Sequence, residues 1–216
     1  METSVSNYEK NCWEWQERFR TMDQERLLEI IPGLRREGGD LTLYHFGEKF
    51  AVDAATGAIR SLESNAPVSA TVRLNIYTLF GYASPLARFQ DDWVPFQQLR
   101  NTGVFQTAYQ KGILAPFVAT FSGHTEKLRQ ALEAMGGQKL PCSDVGYQVE
   151  AFACIPMRVL FWEGDDEFPA QVNLLFDRSA TDYIHSESIV TIATAGLYRL
   201  AHLAGLPLDR RAFPMP

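Results

Sequence analysis

The stretch from Trp162 to Glu187 concentrates side chains able to do chemistry. Carboxylates at Glu163, Asp165, Asp166 and Glu167 crowd one short acidic segment, and Asp177, Asp182, Tyr183, His185 and Glu187 follow within twenty residues. Hard oxygen donors of this kind suit Mg, Ca or Mn, and a nearby imidazole adds affinity for Fe or Zn. Asp165, Asp166 and Glu167 are the candidate metal ligands. Crowded like charges also raise a carboxyl pKa, which makes a general acid available. The alternative is a solvated acidic turn followed by helix-start residues, with Glu187 placed where a helix N-terminus favours negative charge. For an organic ligand the candidate contacts are Trp162, Asp166, Glu167, Asp177, Tyr183 and His185. A seven-residue strand between the turn and the second group spans roughly 20 Å. The sequence therefore predicts two separate clusters.

Other candidates have plainer readings. Phe105, Tyr109, Ile113, Phe117 and Phe121 fall four apart, which suits either a cofactor wall or ordinary core packing on one helix face. His45, between Tyr44 and Phe46, and His202 read as hydrogen-bonded structural histidines. Ser122-Gly123-His124 reads as helix-start chemistry. Dinucleotide, P-loop, nucleophile-elbow, zinc-protease and EF-hand signatures do not occur. Cys12, Cys142 and Cys154 are widely spaced with no C-x-x-C, so the expectation is three buried thiols acting as small hydrophobes.

These residues need elements to hold them. Tyr8, Cys12, Trp15, Phe19 and Met22 form an apolar stripe on a first helix. A second, short helix follows with Thr21 as N-cap and ends at Pro32-Gly33. From Leu41 the period becomes two, predicting a three-strand meander over residues 41–62. Ser69 to Ala83 is helical again. Pro116 should kink or break the middle helix unless it starts a new one, and His124 to Met135 is a further helix ended by Gly136-Gly137. Strands follow at 147–154, 157–162 and 170–176, separated by Ile155-Pro156 and by the acidic turn. A long apolar helix from Ser186 to Ala204 closes the chain, and the tail 208–216 is expected to be loosely ordered. Strands and helices cluster without alternating, so the expected class is α+β. In that reading the meander and the C-terminal strands share one antiparallel sheet covered by helices, within a single domain spanning residues 1–216.

Bulk properties narrow the function classes. In 216 residues, 20 Lys+Arg against 26 Asp+Glu give a net charge of −6. With no basic stripe this argues against nucleic-acid binding. Residues 188–204 carry Arg199 and His202 and are too short to span a bilayer. The first residues lack the basic and apolar regions of a signal peptide, so a cytoplasmic protein is expected.

Gly164-Asp-Asp-Glu-Phe-Pro-Ala170, Leu174-Leu-Phe-Asp177 and Tyr183-Ile-His-Ser-Glu-Ser188 resemble the closing signature of a prokaryotic domain family of unknown function, common in anaerobes. Tyr44-His-Phe-Gly-Glu48, Trp93-Val-Pro-Phe-Gln-Gln-Leu99 and Leu132-Glu-Ala-Met-Gly-Gly137 resemble its earlier landmarks. The resemblance covers about residues 40 to 204 and implies one intact domain in a cytoplasmic setting. It transfers no catalytic residue. It also implies relatives joined to cysteine-rich iron–sulfur segments, which this chain does not contain.

Three functional readings follow. The first is a protein that binds a small molecule or a cofactor of unknown identity without turnover. The second is an interaction module, as a homodimer or a subunit of a larger redox assembly, using the stripe of the first helix. The third is a metal-dependent enzyme built on the acidic turn.

Overall fold

The residues after Leu34 form a meander one strand longer than the sequence predicts. The computed structural model describes residues 7–208. In it β1 (Arg35–Glu37), β2 (Asp40–His45), β3 (Glu48–Asp53) and β4 (Ile59–Ser61) pair antiparallel in chain order. The three residues of β1 are all exposed, so no apolar alternation marks that strand. A second antiparallel sheet contains β5 (Trp93–Pro95), β6 (Gln138–Lys139), β7 (Val145–Phe152), β8 (Ile155–Trp162) and β9 (Gln171–Asp177), in the order β5-β9-β8-β7-β6. The α+β class is as expected. The strands nevertheless form two sheets where one was expected.

The sheets meet through a hairpin tip. Phe46 and Gly47 connect β2 to β3 with φ values of 49° and 74°, the double left-handed geometry of a tight hairpin turn. The register of β7 against β8 shifts between Glu150 and Phe152. Next to this bulge, the backbone N–H of Phe46 donates to the carbonyls of Glu150 (3.2 Å) and Ala151 (3.3 Å), and His45 Nδ1 lies 2.6 Å from the Ala151 carbonyl. Pro156 sits opposite Glu150 at this irregularity, where a missing N–H disturbs the ladder least. The turn between β7 and β8 is therefore at Ala153-Cys154, two residues before the expected position.

Helices enclose the tip. α1 (Asn7–Phe19) lays its stripe on α3 (Ala70–Tyr82). Phe19 meets Phe80 at 5.4 Å and Trp15 meets Tyr82 at 5.8 Å between ring centroids. The stripe invoked for a partner is thus spent largely on the chain's own core. Between them, α2 (Gln24–Ile30) is capped by Asp23, whose side chain accepts from Arg26 N. The expected cap, Thr21, donates its hydroxyl to the Arg18 carbonyl instead. Ser69, the first residue of the expected helix, caps α3, and every residue from Leu74 to Phe80 is buried. Such all-round burial fits a central helix, and α3 also packs on α8 (Ser186–Leu203). α6 (Thr125–Ala134) and the single turn α7 (Ala180–Tyr183) complete the helical set.

Pro116 does not interrupt its helix. α4 (Gln106–Tyr109), a π turn (Gln110–Leu114) and α5 (Ala115–Phe121) run on directly. The Ala115 N–H reaches back to the Gln110 carbonyl, and this widened turn makes room for the proline ring. The aromatic stripe is core: Tyr109, Ile113, Phe117 and Phe121 are buried, and Phe105 packs against them. Of the cysteines, Cys12 and Cys154 are buried but Cys142 is exposed, which corrects the expectation of three buried thiols. Burial pushes the Cys12 thiol up to about 11 and the Cys154 thiol up to about 12. The tail beyond Leu208 lies outside the described residues.

His45 is fully committed to this architecture. Because the Ala151 carbonyl can only accept, Nδ1 carries the proton and Nε2 accepts from Asn75 Nδ2 at 3.2 Å. Asn75 Oδ1 in turn accepts from Thr191 Oγ1 at 2.6 Å. Burial lowers the His45 pKa to about 4, against the weaker opposing pull of the Ala151 carbonyl. A folded pKa below the unfolded value of about 6.5 means that the unfolded chain binds the extra proton first. Stability should therefore decline as pH falls from about 6.5 to about 4, by on the order of 3 kcal/mol from this residue alone. Urea unfolding at stepped pH should show that slope, and His45→Gln should flatten it. A second constraint is steric. A Cβ at Gly196 would lie 2.8 Å from Phe46 Cζ, so Gly196→Ala should cost about 1–3 kcal/mol. Gly39→Ala, with nothing within 4 Å, should leave the unfolding midpoint nearly unchanged.

Candidate functional site

Four residues recur along α8 at spacings of four, three and four: Glu187, Thr191, Thr194 and Tyr198. They draw a polar line on a helix whose other side buries Ile189, Ile192, Ala193, Leu197 and Leu200. On α3, Thr71, Leu74, Thr78 and Tyr82 keep the same helical spacing. α1 contributes Asn7, Tyr8, Asn11 and Trp15, and the π turn and its flanks contribute Phe105, Ala108, Gly112, Ile113 and Pro116. Together these elements line two neighbouring cavities. One, of about 240 Å³, is walled mainly by Phe105, Ile113, Pro116, Val190 and Tyr198 and is largely apolar. The other, of about 340 Å³, is bounded by Asn7, Asn11, Trp15, Thr78, Tyr82 and His185. Tyr8, Glu187 and Thr191 belong to both walls.

The polar groups are ordered by their own hydrogen bonds. Extended backbone at His185 starts α8, and its Nδ1 accepts from the Glu187 N–H at 3.3 Å. The Ser188 N–H is taken by the His185 carbonyl. Thr78 donates its hydroxyl to the Leu74 carbonyl (2.7 Å), Thr194 to Val190 (2.8 Å), and Thr191 to Asn75 Oδ1 or the Ser188 carbonyl. Each of these hydroxyl protons is spent inside the protein, so toward the groove the oxygens can only accept. Trp15, Tyr82 and His185 stand in a row, with centroid separations of 5.8 and 5.2 Å. No Lys or Arg lines either cavity among the described residues, and Glu187 forms no ion pair among them.

Of the residues singled out from sequence, His185 and Glu187 face this groove, Phe105 and Ile113 line its apolar part, and Trp162, Asp166, Glu167, Asp177 and Tyr183 lie elsewhere. Asp177 is a buried bracket: its carboxylate accepts from the N–H groups of Gln90, Asp92 and Ser179 and from the Ser179 hydroxyl. Tyr183 is buried in the core, and burial raises its phenol pKa. Trp162 and the exposed Asp166 and Glu167 sit at the far end of β9 from His185, so the expected two clusters are indeed apart. The acidic turn is largely self-satisfied. Asp165 Oδ1 accepts from the N–H groups of Glu167 and Phe168, which hold its carboxyl below the usual range. Glu163 bonds Ser122 Oγ and Gly123 N, joining α5 to α6. Among the described residues no three His, Cys, Asp or Glu side chains converge as a metal site, and this includes Asp165, Asp166 and Glu167.

Sequence reasoning missed the α3 contributors, Asn7 and Asn11 of α1, and Thr191, Thr194 and Tyr198 of α8. The one available signal was the 187–191–194–198 spacing within an otherwise apolar helix. A broader cleft of about 520 Å³ lies between Phe96, the π turn, α5 and residues 170–174. Tyr109 lines it, stacked on Phe96 at 4.1 Å, and its buried hydroxyl has no hydrogen-bond partner among the described residues. No acid or base lines that cleft, so volume alone favours it and chemistry favours the groove.

A family model described as a domain of unknown function, DUF3786, matches residues 29–198. No curated protein and no solved structure matches the chain. Among the described residues, no helix is long and apolar enough to cross a membrane.

The unpartnered phenol makes a direct prediction. A buried hydroxyl without a partner carries an uncompensated desolvation cost. Tyr109→Phe should therefore raise the unfolding free energy by about 1 kcal/mol in urea titrations. A loss of similar size would mean that the hydroxyl holds an internal partner.

Proposed function

We propose that this chain, which belongs to the DUF3786 family of unknown function, binds a small amphipathic molecule along the groove between α1, α3, α8 and the π turn. One observation carries the reading: an apolar cavity and a polar cavity share walls, so a single ligand can place a hydrocarbon part in one and a polar head in the other. Their combined size falls in the range of small-molecule sites, roughly 300–1,000 Å³, and mostly apolar walls with a few convergent polar groups are the usual make-up of such sites. The apolar end supplies binding energy by burying hydrocarbon, and the polar end selects the ligand.

Two features suit holding a molecule. Thr191 is fixed from behind by Asn75 and His45, so the floor of the groove is preorganised. At Gly112 and Ala108 the helix wall carries little or no side chain, which leaves the apolar cavity open. Filling that space tests the reading. Ala108→Trp should occupy the apolar cavity and abolish binding of short alkyl probes while the protein stays folded. Native mass spectrometry of gently purified protein, with melting curves against such probes, is the measurement. A ligand at one hundred times its Kd should stabilise the protein by about 2.7 kcal/mol. If no added mass is retained and no alkyl probe raises the melting temperature, the groove is not a binding site.

A further inference from the structure

We infer that the ligand's polar head is a protonated amine, so that the groove selects alkyl- or arylalkyl-ammonium ions. This rests on the groove being the binding site and adds the class of molecule it takes.

The charge balance comes first. Glu187 is the single carboxylate lining the cavities, it sits at their junction, and no Lys or Arg lines them beside it, among the described residues. The N-terminus of α8 lies beside it with a partial positive charge of about half a unit, which on its own would favour an anion. Glu187 brings a full negative charge to the first turn of that helix. The amides nearest the groove are also occupied, since Glu187 N–H is capped by His185 and Ser188 N–H by the His185 carbonyl. The carboxylate therefore prevails, and an anionic head would meet its repulsion.

Hydrogen-bond polarity points the same way. Thr78, Thr191 and Thr194 spend their hydroxyl protons on internal carbonyls or on Asn75, so they present acceptors alone. An ammonium group carries N–H donors and no acceptor, the complement of that set. The adjacent rings add to it. Trp15 and Tyr82 border the polar cavity, and aromatic faces attract cations, with Trp the strongest. One face of Trp15 is already covered by Arg18, at 4.9 Å from the ring centroid, which leaves Tyr82 as the more available ring. A hydrocarbon chain on the amine then reaches past Glu187 into the apolar cavity walled by Ile113, Pro116 and Val190.

Three probes with one tail and different heads decide the matter: octylamine, octanol and octanoate, titrated into the full-length protein at pH 7 by calorimetry. Octylamine, protonated at that pH, should bind about tenfold tighter than octanol, and octanoate should bind more weakly than either. In Glu187→Gln the advantage of octylamine over octanol should disappear while octanol binding persists. Glu187 is exposed and forms no ion pair among the described residues, so this variant should lose only the helix-end charge contribution and stay folded. Equal or tighter binding of octanol or octanoate by the native protein would overturn the ammonium inference and leave the groove reading standing. An octylamine advantage that survives Glu187→Gln would also overturn it. If none of the three probes binds, the groove reading itself fails and the inference falls with it.

Discussion

The docking of one hairpin tip into one bulge decides how the rest of the molecule is arranged. Phe46 adopts a left-handed backbone, a conformation that costs a bulky residue about 1–3 kcal/mol. The cost is borne because the ring is almost completely buried, against α8 at Gly196, and because the Phe46 N–H and the His45 imidazole satisfy carbonyls at the β7 irregularity. A hairpin that ended in smaller residues would leave the Ala151 carbonyl short of a donor. Gly47 completes the fit: a side chain there would approach the Met135 carbonyl at 2.9 Å, so the tip can lie against the end of α6 only as glycine. Two sheets, rather than one continuous sheet, follow from this contact, since the meander meets β7 through a turn and not through a strand ladder.

The same contact reaches the groove. His45 can serve the Ala151 carbonyl only as its Nδ1–H tautomer, and that leaves Nε2 to accept from Asn75. Asn75 is thereby oriented to accept from Thr191, whose hydroxyl proton is drawn inward. A neutral, buried histidine on one side of the core thus sets the hydrogen-bond polarity of a side chain that faces solvent on the other. The chain of contacts links a packing constraint to a recognition property, with every donor and acceptor along it accounted for.

Some of this could be read from the chain alone and some could not. α3 and α8 were legible because their apolar residues recur at helical spacing. Strand β1 was invisible because Arg35, Arg36 and Glu37 are all exposed, and the π turn was invisible because a helix that widens by one residue leaves no mark on a four-residue aromatic repeat. The acidic hairpin misled for a related reason. Carboxylate density is a property of sequence, whereas availability depends on what each oxygen already accepts. Asp165 and Glu163 are occupied by turn and helix-end N–H groups, and Asp177 brackets the chain entering β5. By contrast, no single segment contains the groove. Its walls come from residues 7–15, 71–82, 105–116 and 185–198 with Leu208, and only tertiary packing brings them together.

The two halves of the groove also differ in their relation to the family. Residues 29–198 match the family model, and they supply most of the apolar cavity together with Glu187 and Thr191. Asn7, Asn11 and Trp15, which bound the polar cavity, come from α1 and lie before the matched segment. Removing α1 would strip the polar cavity of that wall, and Phe80, Trp15's neighbour Tyr82 and the buried Cys12 contact to Ala70 would lose their cover. α1 is therefore a structural lid on α3 and one wall of the polar cavity. The apolar cavity is walled mainly by α8 and the π turn, apart from the hairpin tip on which the fold rests.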